Sequence, residues 1–479
     1  MTAVLSRRVT ELLPEVERAL LGWLPEQRWF DAGDRTPDEI RLRVVADLTD
    51  QLDRGGPCGL LTVAEVWFGG EARRYQLPIG IRYTGAGWLN PVTIHRVGGL
   101  DVYDATADGQ LIVDMLALIG GNRVCGSVQF LAEPCGELAL VQRRGMSSRP
   151  HDGGRSNTAL VVGERYVLTL FRRVAFGVNP DVTPHRVLTR AGSEHVAPLL
   201  GVIEGTVDGA PVTFGMVRAF HSGALDGWQA ATASVAEVVG GAATDFRAEA
   251  RLLGETVAAV HAGLAGELGT AVLDAAELAR LSLSMCARLD HTLDTVPTLV
   301  PYAERLRAVF AGVADLPVRG TVVQRVHGYP HLGQVVRTPA RWLLVDFDGR
   351  PAAPLGERVA MHSPLRDLAG MLRSFDHAAH HEPLLGTSTP DTRRVDRVAS
   401  WLASARSAFL DGYAEASGVD PRQWRGLLTA YELDMAVREV GHEARDRPSH
   451  TRVPLLAVHR LAGRLGMSGQ PIPRRVCDR

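Results

Sequence analysis

The sequence predicts an α+β protein of 479 residues, strand-rich in its first half and helical in its second. Three observations carry this. From about 40 to 98, apolar and polar residues alternate, as in Ile40-Arg41-Leu42-Arg43-Val44, the period-two pattern of half-buried strands. A second strand-rich stretch covers 136–220, with turns at Gly153-Gly154 and Gly163. After Gly223 the apolar period becomes 3.6, over 232–268, 274–312, 363–380, 393–416 and 421–445. Strands followed by helices is the order of an α+β architecture.

Taken in chain order, 10–28 reads as a helix whose stripe is Leu12, Leu13, Val16, Leu20, Leu21 and Leu24, ending at Pro25 and the phrase Gln27-Arg28-Trp29-Phe30. Strands at 40–45, 60–68 and 75–83 make a small antiparallel subdomain spanning 1–98. A connecting region, 99–135, carries a short helix at 111–119. The strand-rich lobe is 136–220 and the helical lobe 221–479. A chain this long exceeds one ordinary core, which favours such a division.

Composition narrows the function classes. Hydrophobic content of 46% with 22% charged residues is that of a soluble globular protein. The net charge of −2 gives no argument for a nucleic-acid or anionic-membrane partner, although 52 arginines could form local patches, and neither partner is expected. There is no apolar run long enough for a membrane helix and no signal-peptide core at the start, so a cytoplasmic location is expected. Cys58, Cys125, Cys135, Cys286 and Cys477 are widely spaced with no C-x-x-C pair, against disulfide and zinc readings. The chain contains no lysine: all 52 of its strong bases are arginine.

The segment Val326-His327-Gly328-Tyr329-Pro330-His331-Leu332-Gly333-Gln334, followed by Trp342-Leu343-Leu344-Val345-Asp346-Phe347-Asp348-Gly349, carries the chemistry. An apolar strand delivering an acid before glycine, 19 residues after an H-G-x-x-H turn, suits a metal–phosphate site with one oxygen ligand from each loop. The bland readings are that His327 and His331 brace the loop and that Tyr329 is packed. Glu432, Glu439 and Glu443 share one helical face, which can bind sugar hydroxyls or an amine, or pair with arginines of a neighbouring helix. The run Asp376-His377-Ala378-Ala379-His380-His381 reads as a solvated helix end, not a metal cluster.

These phrases together resemble the maltokinase and actinobacterial aminosugar (glucosamine) kinase group, relatives of the aminoglycoside phosphotransferases. The resemblance spans nearly the whole chain. It takes in Gln27-Arg28-Trp29-Phe30, Ser156-Asn157-Thr158, Leu170-Phe171-Arg172-Arg173 with Asn179-Pro180, and the H-G-x-x-H-x-G-Q and D-F-x-G loops. Ser363-Pro364-Leu365-Arg366-Asp367 through Asp376, and Tyr431-Glu432-Leu433-Asp434, complete it. It implies a kinase-like bilobal fold with an N-terminal cap. It also implies a phosphate-covering turn at Ser156, Asn157 and Thr158, and a hinge at 214–220 where Met216 and Arg218 would receive adenine. Gln334 and Asp346 would hold Mg²⁺, and Asp434, Glu439 and Glu443 would line the sugar pocket.

The departures matter as much. Tyr329 stands where the group has its catalytic aspartate, Thr169 where it has its phosphate-binding lysine, and Thr183 where that lysine's acidic partner belongs. A phenol is a poor base at neutral pH, and a threonine brings no charge. Met435, Arg438 and His442 also differ from the group's sugar pocket, and Asp348 replaces its usual glutamate. The resemblance with these losses implies a protein that has shed conventional phosphotransfer and binds a sugar-like ligand or a sugar-metabolism enzyme, as maltokinases associate with trehalose synthase. The alternative is an active ATP- and Mg²⁺-dependent kinase of a sugar, aminosugar or cyclitol, with Tyr329, His331 or Asp348 in a rearranged catalytic site. A third possibility is a different reaction on a sugar-like substrate.

Overall fold

The computed structural model describes residues 2–31, 33, 35–85, 87–134, 138, 146–151, 156–242, 245–317, 320–350, 353–381 and 392–463. The expected Gly153-Gly154 turn, Cys135 and Cys477 lie outside them. The chain divides into two compact units, Met1–Arg190 with Ala197–Ser222, and Ala191–Val196 with Gly223–Arg479.

In the first unit, α1 (Thr2–Trp23) precedes β1 (Glu39–Asp50), β2 (Cys58–Phe68), β3 (Glu71–Tyr83), β4 (Thr93–Val97) and β5 (Leu100–Asp104). These strands form a sheet in the order β1-β2-β3-β5-β4. The expected subdomain boundary at 98 therefore falls too early, because β5 pairs with β3 and β4. Strand β2 shows why the sheet forms. Its even residues Leu60, Ala64 and Val66 pack with Val16, Leu20 and Leu24 near α1, while Leu61 and Val63 face a second core. Period-two alternation thus serves two buried faces at once.

That second core joins the cap to the rest of the unit. It contains Ile112, Met115, Leu116 and Ile119 of α2 (Gly109–Gly120) together with Phe130, Leu168, Leu170 and Phe214. The larger sheet is built from β6 (Val124–Cys125), β7 (Val128–Ala132), β8 (Ser148–His151), β9 (Thr158–Val162), β10 (Tyr166–Leu170), β11 (Leu199–Val207) and β12 (Ala210–Ala219). Its order is β6-β7-β11-β12-β10-β9-β8, so two strands of the expected connecting region belong to this sheet. Between β10 and β11 runs α3 (Val182–Arg190), whose start is held by Asn179 accepting the Asp181 and Val182 N–H groups.

The second unit carries α4 (Gly227–Gly240), α5 (Arg247–Leu268), α6 (Ala275–Thr295), α7 (Ala303–Gly312), α8 (Leu355–Val359), α9 (Leu365–Ala379), α10 (Thr392–Ser417), α11 (Arg425–Asp446) and α12 (Arg452–Gly463). Short strands β13 (Leu225–Asp226), β14 (Thr270–Val272), β15 (Val322–Gln324), β16 (Val335–Arg337) and β17 (Trp342–Leu344) lie among them. The predicted helix at 232–268 is two helices, because Gly241 takes a left-handed cap at φ 96° and ends α4. Helices α5 and α10 approach closely at Gly254 and Gly412. A Cβ at Gly254 would lie 2.0 Å from the Phe409 carbonyl oxygen, so only glycine allows this packing.

Candidate functional site

The first unit places Thr169 at the centre of β10, paired with Ala159 and Met216. It is 5% exposed, and its hydroxyl has no hydrogen-bond partner among the described residues. Thr158 is engaged elsewhere: its hydroxyl accepts from Arg172 Nε at 2.7 Å. Ser156 is exposed and Asn157 half-buried at the entry to β9. Met216 and Arg218 have strand partners on both sides, Thr169 and Val202 for one, Val167 and Leu199 for the other. The expectation that they offer hinge backbone to adenine is corrected: they lie inside the sheet, and the chain leaves it only after Ala219.

Arg172 ties the cap to this sheet. It is 1% exposed, donates to Asp104 at 2.6 Å, and lies 4.4 Å from the Trp29 ring centre. The phrase Gln27-Arg28-Trp29-Phe30 therefore supplies a stacking partner for a buried arginine.

In the second unit, the two loops singled out in the sequence are brought together by backbone bonds. Val345 N–H donates to the Gln334 carbonyl at 3.1 Å, and His327 Nε2 lies 2.9 Å from the Val345 carbonyl oxygen. The His327 ring stacks on Phe347 at 4.6 Å. Gly328 and Gly349 meet at the crossing, with φ of 92° and 69°; a Cβ at Gly328 would lie 3.3 Å from the Gly349 Cα. Both positions need glycine for conformation, and Gly328 also for space.

Asp367, on the first turn of α9, fixes the upstream loop and was not assigned a role from sequence. It is fully buried. Its carboxylate accepts the His327 and Gly328 N–H groups at 2.8 and 2.9 Å and lies 3.1 Å from His261 Nε2. These donors and the neighbouring histidines hold its carboxyl below the usual range against the opposing effect of burial. The only available signal was the phrase around Arg366-Asp367, which carries no spacing rule of its own.

Gln334 and Asp346 fit a hard cation. The Gln334 side-chain oxygen is buried with no hydrogen-bond partner among the described residues, an acceptor without a donor there. Asp346 is held in left-handed backbone at φ 62°, a strained position for a non-glycine residue. Two oxygen donors on adjacent loops leave most of a six-coordinate shell to water and phosphate, as Mg²⁺ prefers. Among the described residues no cluster of three or more His, Cys, Asp or Glu could bind a metal instead.

The three candidate bases differ in their surroundings. Burial is the main influence raising the Tyr329 phenol, with Glu439 and Glu443 adding to it and Arg350 opposing, so it stays protonated. His331 is pushed down to about 4, chiefly by burial; its Nδ1 already accepts the Gly333 N–H at 3.1 Å. Its ring stands edge-on to Tyr329, 5.3 Å away. Asp348 is paired with Arg358 at 3.1 Å.

The acidic helix face is largely committed to arginines. Glu432 pairs with Arg406 at 2.7 Å, and Asp434 holds Arg288 at 2.8 Å and Arg438 at 3.1 Å. Glu439 pairs with Arg373 and His377 and is drawn down to about 2 despite its burial. Glu443 pairs with Arg447 at 2.7 Å through one oxygen, but its other oxygen is buried and has no hydrogen-bond partner among the described residues. The predicted solvated helix end is corrected at Asp376, which is 2% exposed and bound by Arg373, Arg406 and Arg460.

Residues 23–108 match the model of the maltokinase N-terminal cap domain. A glucosamine kinase of Streptacidiphilus jiangxiensis is 32% identical over 469 residues, covering 94% of this chain and 97% of that protein. A glucosamine kinase of Mycolicibacterium smegmatis is 28% identical over 341 residues, 68% and 82% of the two chains. Among solved structures, a glucosamine kinase in complex with glucosamine, ADP and inorganic phosphate superposes with a TM-score of 0.63 at 24% identity, over 91% of this chain and 96% of that one. A second crystal form of glucosamine kinase gives 0.64 at 25%, with the same coverage.

Proposed function

Because the chain belongs to the maltokinase and aminosugar (glucosamine) kinase family, we propose that it is an ATP- and Mg²⁺-dependent kinase of an amino-bearing sugar or cyclitol. The observation that carries this reading is the unsatisfied buried oxygen of Gln334 beside the strained loop that presents Asp346. Gln334 and Asp346 would hold Mg²⁺, which when bound neutralises phosphate charge. Glu443, with its unpaired buried oxygen, suits an acceptor ammonium or hydroxyl.

The expectation that phosphotransfer has been shed finds no support among these relatives, which are named as kinases; the active alternative fits better. Phosphoryl transfer passes through a loose transition state in which positioning and electrostatics dominate, so a strong base is not obligatory. Tyr329, protonated and facing the charges of Glu439, Glu443 and Arg350, would donate a hydrogen bond where the family's aspartate accepts one. A missing base typically lowers the rate ~10²–10⁴-fold, and slow turnover is therefore expected.

The test is a calorimetric titration with ATP, with and without Mg²⁺, followed by ADP release with glucosamine present and absent. The reading requires Mg²⁺-dependent nucleotide binding and sugar-dependent ADP release. No heat up to millimolar ATP would remove it.

A further inference from the structure

Arg350 directly follows the D-F-D-G turn, beyond the residues that carried the sequence argument. Its Nη1 is buried without a hydrogen-bond partner, and it forms no ion pair among the described residues. Its guanidinium lies 5.7 Å from the Tyr329 ring centre, so it is stacked where the acceptor's reacting hydroxyl is expected.

The charges around it do not offer it an acid. Asp434 is shared by Arg288 and Arg438, and Glu357 pairs with Arg366 at 3.2 Å. These groups act on one another electrostatically, giving four arginines against two carboxylates. Burial, with repulsion among the arginines adding to it, pushes Arg438 down to about 10 and lowers Arg350 as well. A desolvated guanidinium with an unmet donor is costly unless an anion meets it.

Tyr329 also feels Glu439 and Glu443, and Glu443 retains its unpaired buried oxygen. The surroundings of one phenol thus contain an unmet cationic donor and an unmet anionic acceptor that do not satisfy each other. Building on the acceptor pocket assigned above, we propose that the acceptor is zwitterionic. It would be a sugar-like molecule whose ammonium pairs with Glu443 and whose carboxylate or phosphate pairs with Arg350. Planar bidentate contact with an oxyanion is the geometry that guanidinium provides best.

The experiment uses the full chain and calorimetry with four probes: glucosamine (cation only), glucuronate (anion only), and glucosamine 6-phosphate and muramic acid (both). At least one zwitterionic probe should bind about tenfold more tightly than glucosamine, as expected of one charge-assisted contact. In R350Q the two should fall within about twofold of each other, and R350K should keep part of the gap. The wild-type panel needs no variant to fold, and thermal unfolding confirms that each variant is native. The proposal is overturned if glucosamine binds as tightly as both zwitterions, or if their advantage survives in R350Q. A loss of Mg²⁺–ATP affinity in R350Q with sugar ratios unchanged would also overturn it, assigning the anion to nucleotide phosphate. Mg²⁺–ATP binding with no affinity for any of the four probes would instead defeat the aminosugar-kinase reading beneath it.

Discussion

Replacing Gln334 by alanine or Asp346 by asparagine removes an oxygen donor from the two loops held together at Val345. Each change should weaken Mg²⁺-dependent ATP binding by about tenfold or more, the effect of one lost charge-assisted contact; calorimetry with and without Mg²⁺ checks it. A second residue-scale prediction concerns acid stability. His331 is lowered to about 4 in the folded chain, against ~6.5 when unfolded, so on acidification the unfolded state takes up the proton first. The stability it contributes is complete above about pH 6.5 and is lost as pH falls towards 4, with a slope approaching ~1.4 kcal/mol per pH unit. Urea unfolding of H331N should show a shallower decline across that window than the wild type; parallel curves would contradict the assignment. Restoring the family pattern with Y329D and T169K should lower ADP release, because Thr169 is buried in the sheet and a lysine ammonium there would be desolvated. A gain in activity from the pair would identify a kinase relic. At this scale the sequence made Tyr329 and Thr169 visible because they break a motif. It could not show that His331 and Asp348 are occupied, since Gly333 and Arg358 claim them only after folding.

At the scale of elements, α9 holds the loop at His327 and Gly328 through Asp367. An asparagine there keeps one acceptor oxygen but places an NH₂ group against backbone N–H donors and leaves His261 without its acid. D367N should therefore cost about 3–5 kcal/mol of stability and disorganise the loop; a denaturant midpoint within error of the wild type would refute that role. Helix and strand positions were largely legible, since the 3.6-residue and two-residue periods survive in α9, α10, β2 and β3. The failures have specific causes. The break at Gly241 depends on a left-handed cap, and β5 joins the cap sheet by pairing with residues that precede it in the chain. The acidic face of α11 was visible as a stripe, but its arginine partners come from α6, α9 and α10, and no local period encodes them.

For the whole molecule, the cap, the larger sheet and the helical unit all follow the family, and no described helix is long and apolar enough to cross a membrane. What distinguishes this chain is where its charges fall. The resemblance puts neutral Thr169 and Tyr329 where the group carries a lysine and an aspartate, and the Arg350 Nη1 beside the phenol has no hydrogen-bond partner among the described residues. The central claim is that this altered site still transfers phosphate. The most direct measurement is ³¹P NMR of the protein at substrate-level concentration with Mg²⁺–ATP and an amino-bearing sugar. Slow loss of the ATP γ-signal with matched growth of ADP and a sugar-phosphate resonance, abolished by D346N, is the result expected. Saturating occupancy by both ligands without a sugar-phosphate signal would contradict the account and leave a ligand-binding relative that does not catalyse transfer.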